Sequence, residues 1–229
     1  MIVRSVAEYQ ALGRTVELAD GRATSTRLIT ARDGIGFSLA FVTLEEGLTF
    51  DLWYKHHWET NVILDGSVLL SDCERGNSWH LNHDSVYMVG PTDRHRLKAH
   101  TPLEVLSVFC PSVNGDENHD ADGSYPPTGP IPPRHESMAV RTGCDAAVTP
   151  VDGVGVVVTR MEIEGHGEFP AQPGSSAYYF PAGSGTVEAT ESGQWNKVGD
   201  HFVVVAEPGE PVSFDMASPT PVVAFWAVQ

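Results

Sequence analysis

Tyr54-Lys55-His56-His57-Trp58-Glu59 gathers two imidazoles, a phenol and a carboxylate in one short segment. A second segment, Asp84 to His95, adds the phenol of Tyr87 and the imidazole of His95, with Pro91 between them. Glu59 stands seven residues before Gly66, in the turn pair Asp65-Gly66. On neighbouring strands of a small barrel, alternate side chains face inward, so Glu59, Tyr87 and His95 are expected to point into one cavity. A carboxylate, a phenolate and an imidazole form a mixed oxygen and nitrogen donor set. Such a set suits Fe(II), Mn(II) or Zn(II) better than a soft-metal thiolate site does. Three protein ligands also leave positions open for a substrate. The bland alternative makes His56 and His57 surface histidines on a strand edge and Tyr87 a core tyrosine. Their company with Glu59, the turn glycine and the Pro91…His95 spacing weighs against it. The chain has no G-x-S-x-G, no H-E-x-x-H, no Walker loop and no strand-linked G-x-G-x-x-G. Gly183-Ser184-Gly185 fits a hairpin turn better than a phosphate loop.

The elements that must position these groups read as strands. The 229 residues hold 22 Gly and 16 Pro among many Val-rich stretches, which argues for short strands and tight turns. One short helix is expected over Ser5 to Leu12, with Ser5 as its cap and Glu8 at the capping-box spacing. Strands are expected at 26–30, 35–43, 49–54, 61–70, 78–81, 85–89, 95–99 and 104–110. Residues 112–135 interrupt them. Asn114 to Gly123 is polar and acidic, and Asn114–Tyr125 suggests a lid over a barrel mouth, while Pro126-Pro127 and Pro130-Ile131-Pro132-Pro133 suggest an extended linker. Strand patterns resume at 153–162, 176–180, 185–189, 194–197, 201–205, 212–215 and 221–228. Gly66 and Gly183 are 117 apart, and Asp84 and Asp200 are 116 apart, as an internal duplication requires. The expected organisation is a barrel over 1–125, a linker over 126–150 and a second barrel over 151–229. The fold class is all-β: two small barrels of the double-stranded β-helix type, a bicupin, since the spacing around Glu59 and His95 is the cupin signature.

Composition narrows the partners. Lys plus Arg total 14 against 30 Asp plus Glu, a net charge of −16 that disfavours charge-driven binding to nucleic acid or anionic membrane. No apolar run approaches the ~20 residues of a membrane helix, and the start of the chain lacks a signal-peptide pattern. Cys73, Cys110 and Cys144 are scattered and read as reduced thiols. A cytoplasmic protein acting on a small molecule, with a homodimer as one option, is the expectation.

Residues 1 to about 126 resemble ectoine synthase, a metal-dependent cupin. The resemblance is carried by Met1-Ile2-Val3-Arg4, Ser25-Thr26-Arg27-Leu28, the Tyr54–Glu59 string, Val108-Phe109 and His119-Asp120-Ala121-Asp122-Gly123-Ser124-Tyr125. It implies closure of a cyclic amidine: the free α-amine of N4-acetyl-L-2,4-diaminobutyrate joins the acetyl amide carbon and water leaves. By matching position, Glu59, Tyr87 and His95 would be ligands of Fe(II), with Zn or Mn as substitutes. Arg27 would hold the substrate carboxylate, with Ser107 and Trp58 also against the substrate. Tyr54, His57, Glu117 and His119 would line the pocket and supply acid and base. The chain departs from the family at Ala23, where a pocket Trp is expected, at Ser107, where a Cys is expected, and over Phe37-Ser38-Leu39-Ala40-Phe41, which lacks polar groups. These departures point to a related ring closure on a different or bulkier substrate. The second copy lacks the ligands: Ser176 matches Glu59 and a point near Pro211 matches His95. It is expected to be structural. The competing classes are a cupin oxygenase or isomerase, separated by a requirement for oxygen, and a metabolite-binding bicupin without turnover.

Overall fold

Gly66 decides where the first long strand ends. Its φ is +85°, and a β-carbon there would lie 2.1 Å from the carbonyl oxygen of Pro102. Only glycine fits, so the chain turns at Asp65-Gly66 and the expected strand 61–70 becomes two. The computed structural model describes residues 1–133, 137–143 and 147–228. Cys144 and part of the expected linker lie outside the described residues.

The N-terminal part contains β1 (Ile2–Ser5), α1 (Val6–Ala11), β2 (Thr15–Leu18), β3 (Ala23–Ile29), β4 (Ser38–Leu44), β5 (Thr49–Leu52) and β6 (Trp58–Asp65). It continues with β7 (Ser67–Asp72), β8 (Ser78–Asn82), β9 (Val86–Val89), β10 (His95–Ala99) and β11 (Leu103–Cys110). The rest is β12 (Ala139–Arg141), β13 (Val156–Phe169), β14 (Ser176–Phe180), β15 (Gly185–Ala189), β16 (Gln194–Val198), β17 (Phe202–Ala206) and β18 (Val212–Ala227). The capped helix forms where expected, and the Ser5 hydroxyl accepts from the Glu8 amide at 3.2 Å.

The fold is all-β, with barrel-like sheets. One sheet runs β12-β9-β6-β11-β4-β3-β2 and faces a second, β5-β10-β7-β8. A third runs β1-β17-β14-β18-β15-β16, with β13 also on β18. The two expected strands 212–215 and 221–228 are one continuous β18. Two strands cross between the halves. β1 leaves the N-terminal sheets to pair with β17, and β12, inside the expected linker, pairs with β9.

Among the described residues three apolar cores follow from strand alternation. The N-terminal barrel encloses one, including Ile63, Leu70, Leu97 and Val105. The C-terminal barrel is filled by Phe169, Tyr178, Phe180 and Phe214, with Phe169 stacked on Tyr178 at 4.0 Å. The third core lies between the halves. Phe37, Leu39, Phe41, Val86 and Met88 meet Val156, Tyr179, Val205 and Phe225 there. This explains the apolar Phe37–Phe41 segment: Phe37, Leu39 and Phe41 face the second half, and only the alternate residues Ser38 and Ala40 face inward.

Candidate functional site

Register builds the site layer by layer. Arg27 on β3 pairs with Ala40 on β4, Ala40 with Ser107 on β11, Ser107 with Asn61 on β6, and Asn61 with Tyr87 on β9. Cross-strand partners share a face, so all five turn to the barrel interior. The next layer is Ser38, Phe109, Glu59 and Val89. Glu59 precedes Gly66 by seven because β6 occupies the residues between.

These layers wall a cavity of about 60 Å³, several times the space one ordered water needs. Its polar lining includes Arg27, Tyr54, Glu59, Asn61, Tyr87, Ser107, His119 and Tyr125. Arg27 donates to the Tyr125 hydroxyl at 2.8 Å, while its buried Nε has no partner. Ser107 donates to Asn61 Oδ1 at 2.5 Å. Tyr54 Oη lies 3.0 Å from His119 Nε2, and His119 stacks on Tyr125 at 4.5 Å.

Burial sets the electrostatics. It pushes the Glu59 carboxyl up to about 7, against the pull of Asn61, Ser107 and Arg27. It pushes the phenols of Tyr54 and Tyr87 well above their ordinary value, with Glu59 adding to both. It lowers the imidazole of His119 to about 4, with Arg27 acting in the same direction.

His95 opens β10, where its backbone pairs with Leu52 and Asp72. The preceding turn is fixed by Asp93, whose carboxylate accepts from the Gly90 amide at 3.0 Å and from Arg75 at 3.2 Å. The carbonyl of Asp93 lies 3.1 Å from His95 Nδ1. A carbonyl can only accept, so Nδ1 carries the proton and Nε2 keeps its lone pair. That Nε2 and Glu59 Oε2 are both buried without a hydrogen-bond partner. Orphaned lone pairs of this kind are costly unless a cation or a ligand group takes them. Among the described residues no group of three His, Cys, Asp or Glu side chains is arranged to hold a metal. Two such residues, Glu59 and His95, keep unsatisfied lone pairs, and the phenol of Tyr87 feels the charge of Glu59. The donor chemistry therefore fits a divalent cation.

Four expected residues, His95, Trp58, Glu117 and His57, are not on the cavity wall; the His95 ring stands beside that of the lining residue Tyr54, 6.2 Å away. Trp58 is on the opposite face of β6 from Glu59, buried in the core between the halves. Strand alternation makes this unavoidable. Glu117 is spent on its own loop: its carboxylate accepts from the amides of Asn114 at 2.5 Å and Gly115 at 2.6 Å. His57 sits behind the wall, edge-on to Phe109 at 6.1 Å and to Tyr125 at 6.4 Å, with Nε2 3.0 Å from the Thr128 hydroxyl. Burial lowers its imidazole to about 4. Sequence reasoning missed Asn61 and Tyr125 as site residues. Asn61 was recoverable, two residues beyond Glu59 on one strand. Tyr125 closes the His119–Tyr125 string but faces inward only because the loop folds back.

A protein-family model described as ectoine synthase matches residues 1–129. The L-ectoine synthase of Mycobacterium sp. (strain KMS) is 36% identical over 126 residues, covering 55% of this chain and 96% of that protein. The crystal structure of ectoine synthase from P. lautus is 28% identical with a TM-score of 0.50, over 57% of this chain and 93% of that one. The oxalate decarboxylase of Bacillus subtilis, in its structure at pH 4.6, matches 99% of this chain and 76% of its own at a TM-score of 0.67. At 11% identity that last likeness speaks for the cupin fold of the whole chain and for nothing finer.

Proposed function

Since the chain belongs to the ectoine synthase family, we propose that it closes a ring within a small N-acylated diamino acid by attack of an amine on an amide carbon, with loss of water. The observation that carries this reading is the pairing, in one cavity, of a buried guanidinium and a buried carboxylate that each keep an unpartnered polar atom, Arg27 Nε and Glu59 Oε2.

Each residue then has a part. Arg27 binds the substrate carboxylate, and its hydrogen bond to Tyr125 fixes where that carboxylate sits. Glu59, Tyr87 and His95 would hold a divalent cation, which when bound supplies Lewis-acid polarisation of the amide oxygen. The walls keep both ends of one molecule together and remove most of the entropic cost of attack. Tyr54 keeps its proton at neutral pH and donates it to Nε2 of the neutral His119 imidazole, so the pair is a proton-carrying couple in the cavity wall. Ser107 and Asn61 lock each other through Asn61 Oδ1, and the Asn61 amide nitrogen keeps its donors free for a ligand.

The test is metal analysis of the purified chain, then incubation with N4-acetyl-L-2,4-diaminobutyrate and mass spectrometry for loss of one water. Glu59→Ala is expected to remove both bound metal and turnover. Turnover that survives exhaustive chelation and Glu59→Ala overturns the metal-dependent reading. No water loss from any N-acyl diaminobutyrate in the metal-loaded protein overturns the cyclase reading.

A further inference from the structure

The cavity is polar at one end only. The layer of Arg27, Asn61, Ser107 and Tyr87 is followed along the strands by Ser25, Val42, Val105 and Ile63, and then by Ala23, Leu44 and Leu103. Arg27 and Ala23 are four residues apart on β3, about 13 Å of wall at the rise of an extended strand. The opposite sheet continues the gradient. Behind His95, β10 carries Leu97, paired with Phe50 on β5.

The apolar end also reaches solvent. β2 and β5 each form one edge of the two facing sheets. Leu18 on β2 and Phe50 and Leu52 on β5 line the cavity, and each is only partly buried, as is Val42. Elsewhere in this barrel, Leu70, Leu81 and Val89 are fully buried. A ligand confined to the polar layer would leave this apolar end filled with water and unpaired surface.

We infer that the substrate carries an aliphatic acyl chain longer than acetyl, seated against Leu18, Ala23, Val42, Leu44, Phe50 and Leu97, with its amino-acid head in the layer of Arg27 and Glu59. This deepens the cyclase reading and rests on it for the identity of the head group. Each methylene moved from water onto this surface tightens binding about fourfold.

The experiment titrates the purified 229-residue chain, metal-loaded, with N4-acetyl-, N4-butanoyl- and N4-hexanoyl-L-2,4-diaminobutyrate. Calorimetry gives Kd and mass spectrometry of the same samples gives water loss. Kd is expected to fall about sixteenfold from acetyl to butanoyl, two methylenes, and to fall further with hexanoyl. Phe50→Ser, at the partly exposed edge, and Ala23→Phe, which fills the inner end, are each expected to flatten that slope. A Kd that is flat or rises with length, or an unaltered slope in both variants, overturns the inference. Water loss from the acetyl compound without a gain on lengthening overturns the inference alone. Water loss from none of the three overturns the cyclase reading, and the length dependence of Kd still decides the chamber. Binding to none of the three overturns both.

Discussion

Tyr54 and His119 meet at 3.0 Å with opposite protonation habits. Burial holds the phenol neutral far above pH 7, and it drives the imidazole to about 4, so the proton between them belongs to the phenol across the physiological range. Removing the hydroxyl with Tyr54→Phe should cost about a hundredfold in kcat. Metal content should stay unchanged, which separates proton handling from ligand loss in a single preparation. His119 also makes stability depend on pH. Its folded value is depressed from 6.5 to about 4, so below pH 6.5 the unfolded chain takes up the proton that the folded chain refuses. Stability falls as pH drops from about 6.5 towards 4 and levels off below. The contribution of this residue at pH 5 is about 2 kcal/mol at most. Urea unfolding of wild type and His119→Gln at pH 7 and pH 5 checks it: the variant should lose less stability on acidification. Equal losses in both proteins would show that His119 is not buried in its neutral form. At this scale the sequence was legible where a residue's strand phase was clear. Glu59 and Tyr87 face inward as alternation dictates, while Trp58, one step from Glu59, could only face away.

The loop over 114–125 is where a motif became an element. His119 and Tyr125 reach the cavity because the chain between them is tied down on every side. The Asp120 carboxylate accepts from the amides of Asp122 and Ser124, both at 2.9 Å. Lys55 pairs with Asp122 at 2.6 Å and Asp120 at 3.1 Å, and Arg94 pairs with Asp122 at 3.0 Å. These exposed pairs are individually weak, so the backbone contact at Gly123 matters more. Its φ is +75°, and a β-carbon there would come within 2.7 Å of the Asp51 carbonyl oxygen. Gly123→Ala should therefore lift the loop, lowering kcat/KM at least tenfold while the metal remains bound. Normal kinetics in that variant would mean that the loop does not position His119 and Tyr125. The string His119–Tyr125 was visible in the sequence as a pattern, but its physical purpose was not. The turn chemistry is local, while the partners Lys55, Arg94 and Asp51 come from distant strands. For the same reason β1 and β12 escaped notice: three or four residues carry no period, and each is a strand only because another half of the chain offers it an edge. The long alternating runs needed no such help, and β10 and β15 have the expected limits.

At the scale of the whole molecule, the two halves share a core that neither can cover alone. Phe41 shows how. It is 4% exposed, stacked on Tyr179 at 6.4 Å and against His201 at 4.9 Å, while its strand neighbours Ala40 and Val42 face the barrel interior. Around it, Arg160 from β13 donates to the Asp84 carboxylate at 2.5 Å and to the Ile63 carbonyl at 3.0 Å, and Arg4 bridges Asp33 at 2.6 Å as β1 crosses to β17. A face made of Phe37, Leu39 and Phe41 would be an aggregation surface if exposed. The C-terminal barrel covers it, with its own interior packed by aromatic rings instead of opened into a site. Phe41→Ala should cost about 3–5 kcal/mol, the range for truncating a buried aromatic side chain. For a chain of this size that lowers Tm by on the order of 10 °C. Because the residue lies behind the cavity wall, KM should move little, and unfolding should stay a single transition when followed by tryptophan fluorescence and by loss of metal together. Two separated transitions in the wild-type chain would show instead that the halves fold independently. In that case the shared core contributes nothing to holding Arg27, Glu59 and Tyr87 in register.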